Sequence, residues 1–194
     1  LEWWYTKLSK KKIQLSEQSA MDCTSKDGPN FGCDGGLMEY VFNFAARHPI
    51  ATESNNPYEA TEGVCKKKYN TIINVRDYGV LMKEDDKHAE DYIPWILENY
   101  GPVGIGIDVS NEKLFSYKDG IFSANDCGTD IDHAVLIVGM GTYPKPYWIV
   151  KNSWGDKWGQ QGYFYLEKGK NACGVAEYIT YVKDAHLVNQ QEFT

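Results

Sequence analysis

Basic residues are in the minority in this chain, long apolar runs are missing, and no cysteine pair has the C-x-x-C spacing. Lys and Arg total 20 against 27 Asp and Glu, a formal net charge of −7, so the surface as a whole repels polyanions and neither nucleic acid nor an anionic membrane is an expected partner. The two lysine triplets, at 10–12 and 66–68, have no interleaved aromatics and read as solvated faces or turns rather than nucleic-acid sites. The longest apolar run covers residues 134–138, far short of the ~20 residues a membrane helix needs. Without C-x-x-C pairs there is neither the zinc-site nor the redox pattern, and no metal or cofactor is expected. There is also no internal repeat, no low-complexity tract and no N-x-S/T sequon.

What is there starts with five cysteines, Cys23, Cys33, Cys65, Cys127 and Cys173, separated by 10, 32, 62 and 46 residues. Gaps of that size fit long-range disulfides in a lysosomal or extracellular protein. An odd count leaves one cysteine over, as a free thiol or with its partner elsewhere.

The hydrophobic pattern changes near residue 78. Before it the signals are helical. Leu37, Tyr40, Val41, Phe44 and Ala45 fall on one face, stopped by Pro49; residues 1–8 read as the end of a helix, and 15–22 as a short one with Ser16 as N-cap. After it one further helix is predicted, with Tyr92, Ile93, Ile96, Leu97 and Tyr100 in register, Pro94 in its first turn or kinking it, and Gly101-Pro102 ending it. Val103, Ile105, Ile107 and Val109 alternate with Gly104, Gly106 and Asp108, a strand with one apolar face and one nearly bare. Further strands are predicted at 133–139, 147–151, 162–167 and 176–182. Helices followed by antiparallel strands make an α+β protein, with domains at 1–77 and 78–182 and a loose tail at 183–194.

Among the four histidines only His133 has an informative setting, at the start of the strand pattern DHAVLIVGMG. Alone it reads as a structural histidine. The stretch YWIVKNSWGDKWGQQGYFYL at 147–166 alters that, because Asn152 ends a second strand and is followed by Trp154 and Trp158. An amide beside an imidazole holds one tautomer, and an indole over their bond excludes water, the Cys-His-Asn form of nucleophile, base and orienter.

Eight segments in order carry a resemblance: LSEQSAMDC, GCDGGLMEY, PYEATEGVC, GPVGIGID, DHAVLIVGMG, KNSWG, WGQQGYFYL and ACGVA, between residues 15 and 176. The chain resembles a papain-like cysteine protease of the cathepsin L group over residues 1–182. That resemblance implies a helical left lobe, an antiparallel β-barrel right lobe and a peptide-binding cleft between them. It makes His133 the general base and Asn152 its orienter, with Trp154 shielding the pair and Trp158 lining the leaving-group side. Gly35 and Gly36 would offer backbone hydrogen bonds to an extended peptide, and the carbonyl of Asp132 would face the scissile residue. Leu37, Met38, Gly106, Ile131 and Ala134 would line an apolar pocket for the side chain two residues upstream of the cut, with Tyr178 at its floor; whether Tyr178 shapes that pocket or merely packs stays open. The resemblance pairs Cys23 with Cys65 and Cys127 with Cys173, leaving Cys33. Peptide or protein substrates and proteinaceous inhibitors are the expected partners of a monomer.

The departure lies at the other end. In the family the nucleophile precedes the histidine by roughly 130 to 150 residues, whereas Cys23 precedes His133 by 110. The nucleophile is therefore expected about nine residues before Leu1, together with the oxyanion glutamine and the cysteine that pairs with Cys33. The expectation is a fragment of a cysteine endopeptidase, inactive alone; the alternative is a non-catalytic pseudoprotease that binds peptides or inhibits. Trp3 in place of a small residue, and Lys10 and Lys11 in place of a glycine-containing turn, are local departures.

Overall fold

A computed structural model describes residues 1–25, 29–48, 50–66 and 72–188. It is an α+β structure with helices α1 (Glu2–Ser9), α2 (Glu17–Ser25), α3 (Met38–Arg47) and α4 (Ile93–Tyr100). The strands are β1 (Ile73–Leu81), β2 (Val103–Ile107), β3 (Ile121–Phe122), β4 (His133–Gly141), β5 (Tyr147–Lys151), β6 (Tyr163–Glu167) and β7 (Ile179–Leu187). They form a seven-stranded sheet in the order β1-β7-β2-β4-β5-β6-β3. β2 pairs antiparallel with β4 and β7, β5 antiparallel with β4 and β6, and the short β3 runs parallel to β6. Two compact units result, Leu1–Gly79 with Val182–Thr194, and Val80–Tyr181.

In the first unit Ser16 caps α2: its hydroxyl accepts the Ser19 N–H at 2.8 Å and donates to the Asn56 carbonyl at 2.6 Å, satisfying a helix-end donor that would otherwise be buried unpaired. Leu15 lies outside the helix, bridged to Thr52. α3 buries Ala45 and packs Val41, Phe42 and Phe44 on a core of Leu15, Ile50, Ile73, Val75, Val182 and Ala185. Leu37 is its N-cap and is 41% exposed, so it leaves the apolar stripe. Pro49, expected to stop this helix, lies outside the described residues, as do residues 67 and 68 of the second lysine triplet.

Two expectations fail here. Strand β1 begins at Ile73 rather than after residue 78, and residues 183–187, expected as loose tail, complete β7. The charges that obscured both strands are paired between them: Arg76 with Asp184 at 3.8 Å and Lys183 with Asp77 at 3.6 Å. Val182 and Ala185 meanwhile point into the core. Residues 189–194 lie outside the described residues.

In the second unit Ala89–Tyr92 forms a 3₁₀ turn that leads into α4, with Pro94 in the first turn, where its missing N–H costs nothing. Ile93 and Ile96 join Val103, Ile105, Ile107, Trp148, Val150, Phe164 and Leu166 in one core. All five residues of β2 are buried. Its bare side is covered, because the Ile131 side chain lies against Gly106, where an added Cβ would come within 2.8 Å of Ile131 Cδ1.

Candidate active site

β4 starts at His133, opposite Ile107 at the end of β2. The preceding residue pins this point, since Asp132 N–H donates to the Ile107 carbonyl at 3.0 Å and its carboxylate accepts the Val109 N–H at 2.8 Å. Asp108 holds the segment before it, accepting the Ser110 hydroxyl at 2.6 Å and the Asp130 N–H at 3.3 Å. The Ser110 hydroxyl is the main reason its pKa lies below the usual carboxylate range. On the neighbouring strand β5 ends at Lys151, and Asn152 N–H donates to the Gly162 carbonyl at 2.9 Å.

The two side chains meet, with His133 Nε2 and Asn152 Oδ1 2.9 Å apart. Oδ1 also accepts the Ser153 backbone N–H at 2.8 Å, which identifies it as the amide oxygen. An oxygen only accepts, so the bond makes Nε2 the protonated ring nitrogen and leaves Nδ1 as the acceptor in the neutral ring. Asn152 is buried and its Nδ2 has no partner among the described residues.

Trp154 stacks on the imidazole, with centroids 5.1 Å apart and planes at 28°. Its ring also lies parallel to Phe115, 4.7 Å away and at 8°. Trp158 meets Trp154 edge-on at 4.9 Å and donates its indole N–H to the carbonyls of Leu114 at 3.2 Å and Phe115 at 3.1 Å. Sequence reasoning missed Phe115, which lies in an irregular segment between β2 and β3 with no periodicity to single it out.

Gly106, Ile131, Ala134 and Tyr178 belong to the same unit. Gly106 N–H donates to the Tyr178 carbonyl at 2.9 Å, while Ile131 and Ala134 are exposed. Tyr178 is 5% exposed, and its hydroxyl has no partner among the described residues.

In the first unit Leu37, Met38, Gly35 and Gly36 border a cavity of about 230 Å³, with Met21 and Val41 behind them. The two glycines differ. Gly35 has its carbonyl taken by Phe31 N–H at 2.9 Å, whereas Gly36 is exposed with neither backbone group paired among the described residues. A side chain at 36 would collide with the Asn30 amide, which accepts the Leu37 N–H at 2.7 Å. Disulfides join Cys23 to Cys65 and Cys127 to Cys173. Cys33 is free and exposed, its Sγ 3.8 Å from Met21 Sδ.

A family model described as papain family cysteine protease matches residues 2–183. The chain belongs to the papain family. It is 41% identical over 190 residues to an aleurain-like thiol protease of Arabidopsis thaliana, covering 93% of this chain and 51% of that protein. It is 37% identical to a cathepsin L-like peptidase of Aedes aegypti, covering 93% and 54%. Among solved structures, the digestive procathepsin L 3 of Tenebrio molitor larval midgut matches with a TM-score of 0.83 and 34% identity, over 93% of this chain and 59% of that one. This papain-family chain thus spans about half the length of the relatives it matches.

Proposed function

We propose that this chain carries the general base and its orienter for a cysteine-type endopeptidase, together with backbone that binds the peptide, and that it hydrolyses no peptide by itself. The observation that carries the reading is the 2.9 Å bond from His133 Nε2 to Asn152 Oδ1 beneath the Trp154 ring. In papain-family chemistry a thiol gives its proton to the free ring nitrogen, here Nδ1, and the thiolate attacks the peptide carbonyl carbon. The imidazolium then protonates the leaving amine. Water, deprotonated by the same ring, hydrolyses the thioester and frees the thiol. Asn152 fixes the tautomer throughout, and the indole stack keeps water from the His–Asn bond.

No cysteine of this chain takes the nucleophile's place in that scheme. Four are in disulfides, and Cys33 sits in a 3₁₀ turn beside Met21. Loss of the nucleophile in a comparable triad costs on the order of 10⁶ in kcat. Gly36, on an exposed loop with its N–H and C=O unpaired among the described residues, is suited to pair with an extended peptide, with Leu37 and Met38 beside it to receive an apolar side chain. Gly106, Ile131, Asp132, Ala134 and Tyr178 are proposed as the second unit's contribution to peptide binding. The two disulfides support a lysosomal or extracellular setting.

The test combines binding and turnover on the chain itself. Titration with an extended peptide bearing apolar residues is expected to shift the Gly36 amide resonance and the His133 ring resonances, while a fluorogenic peptide is not cleaved and a peptidyl epoxide does not label the protein. Unmoved resonances at both places overturn the peptide-binding reading. Cleavage with epoxide labelling of Cys33 overturns the assignment of that cysteine.

A further inference from the structure

Phe115 stands in a polar turn, SNEKLFSYKDG at 110–120, among charged and hydroxylated neighbours. The Leu114 N–H donates to the Asn111 carbonyl at 3.3 Å and the Tyr117 N–H to the Leu114 carbonyl at 3.1 Å. This turn puts Leu114 and Tyr117 in the core, 1% and 6% exposed, and leaves Phe115 off that face with 55% of its surface exposed. Its ring therefore contributes little to the core. It lies instead flat against Trp154, with 4.7 Å between centroids and 8° between planes. Trp154 is the ring that covers the imidazole, and among the described residues its own indole N–H has no hydrogen-bond partner. Contacts with other rings orient it.

Two rings hold Trp154 besides the imidazole it covers. Trp158 meets it in a T-shaped contact at 4.9 Å and is itself anchored, by a T-shaped contact with the buried Phe164 at 5.6 Å and by its indole N–H on the Leu114 and Phe115 carbonyls. Phe115 is the second. The contacts close a triangle, in which the Phe115 carbonyl accepts from Trp158, Trp158 meets Trp154, and Trp154 lies flat on the Phe115 ring. The flat stack fixes the plane of the indole, which a T-shaped contact alone leaves free to rock. We propose that Phe115 is a positioning residue that acts through Trp154, holding the indole over the His133–Asn152 bond and keeping water from the Nε2 proton. The inference rests on the reading of His133 and Asn152 as base and orienter. An indole without that stack moves between rotamers, each excursion opens the bond to water, and the base loses its fixed tautomer.

The test is the exchange of the His133 Nε2 proton with water, read by ¹⁵N nuclear magnetic resonance on the whole chain without peptide. Phe115→Ala is expected to exchange roughly 3- to 10-fold faster than the parent, the size of one aromatic stack, while the amide spectrum of β4, β5 and β6 shows it folded. Phe115→Tyr, which keeps the ring plane, is expected to exchange as slowly as the parent. Trp95→Ala removes an equally exposed aromatic from the same unit, 54% exposed, and is expected to change nothing. Should Phe115→Ala not fold, Phe115→Leu, which keeps apolar bulk without the plane, takes its place with the same expectation. The positioning role is overturned if the folded variant exchanges as slowly as the parent, if Phe115→Tyr exchanges as fast as Phe115→Ala, or if Trp95→Ala speeds exchange as much. Fast exchange in the parent overturns the His–Asn reading and this inference together, whereas a failure to bind peptide leaves these rates unaffected.

Discussion

At the residue scale Glu167 shows how a carboxylate becomes structural. It is 5% exposed, accepts the Ala124 N–H at 3.0 Å and the Ser123 hydroxyl at 3.1 Å, and meets Lys145 at 3.1 Å and Lys170 at 3.0 Å. These contacts, the Ala124 N–H foremost, lower its pKa from 4.5 to about 2. A depressed carboxyl stabilises the fold above its unfolded pKa and loses that contribution as pH falls toward the folded one. Glu167→Gln should therefore cost up to about 3 kcal/mol at neutral pH. The cost should shrink between pH 4.5 and about 2, as measured by urea unfolding across that range. A difference independent of pH would assign the effect to packing. Residues of this kind are hidden in the sequence, because nothing near Glu167 marks its distant partners Ser123 and Ala124. His133, Asn152 and Trp154 were easier to find, since each stands at or just past the end of a strand marked by a short apolar run. Phe115 was not, because its contact with Trp154 joins segments 39 positions apart without any local pattern.

At the element scale, α3 was legible from its apolar stripe and α2 from its cap. Ser16 is the cap of α2, and Ser16→Ala should cost about 1 to 2 kcal/mol in chemical denaturation, toward the upper end because the hydroxyl also bonds the Asn56 carbonyl. An unchanged midpoint would show that water replaces the cap. β2 follows its alternating pattern, and β4, β5 and β6 coincide with short continuous apolar runs. β1 and the end of β7 do not, because their charged residues are neutralised across the pair, Arg76 by Asp184 and Asp77 by Lys183. These charges are exposed to solvent, and it is their adjacency along each strand, Arg76-Asp77 and Lys183-Asp184, that breaks the alternation.

At the scale of the molecule, each unit has its own core and one disulfide. The His–Asn pair rests wholly on the second unit, on β4, the end of β5 and the loop that carries Phe115. Its geometry depends on Asp132, Asp108 and Gly162 contacts made within that unit. The pair should therefore be formed in the chain as it stands, whether or not a thiol is present. Imidazole ¹⁵N nuclear magnetic resonance of His133 tests this most directly. The account predicts a proton on Nε2, with a slowly exchanging ring N–H that becomes fast-exchanging in Asn152→Ala. A ring that carries its proton on Nδ1 and none on Nε2, or an N–H already in fast exchange in the unaltered chain, would contradict it.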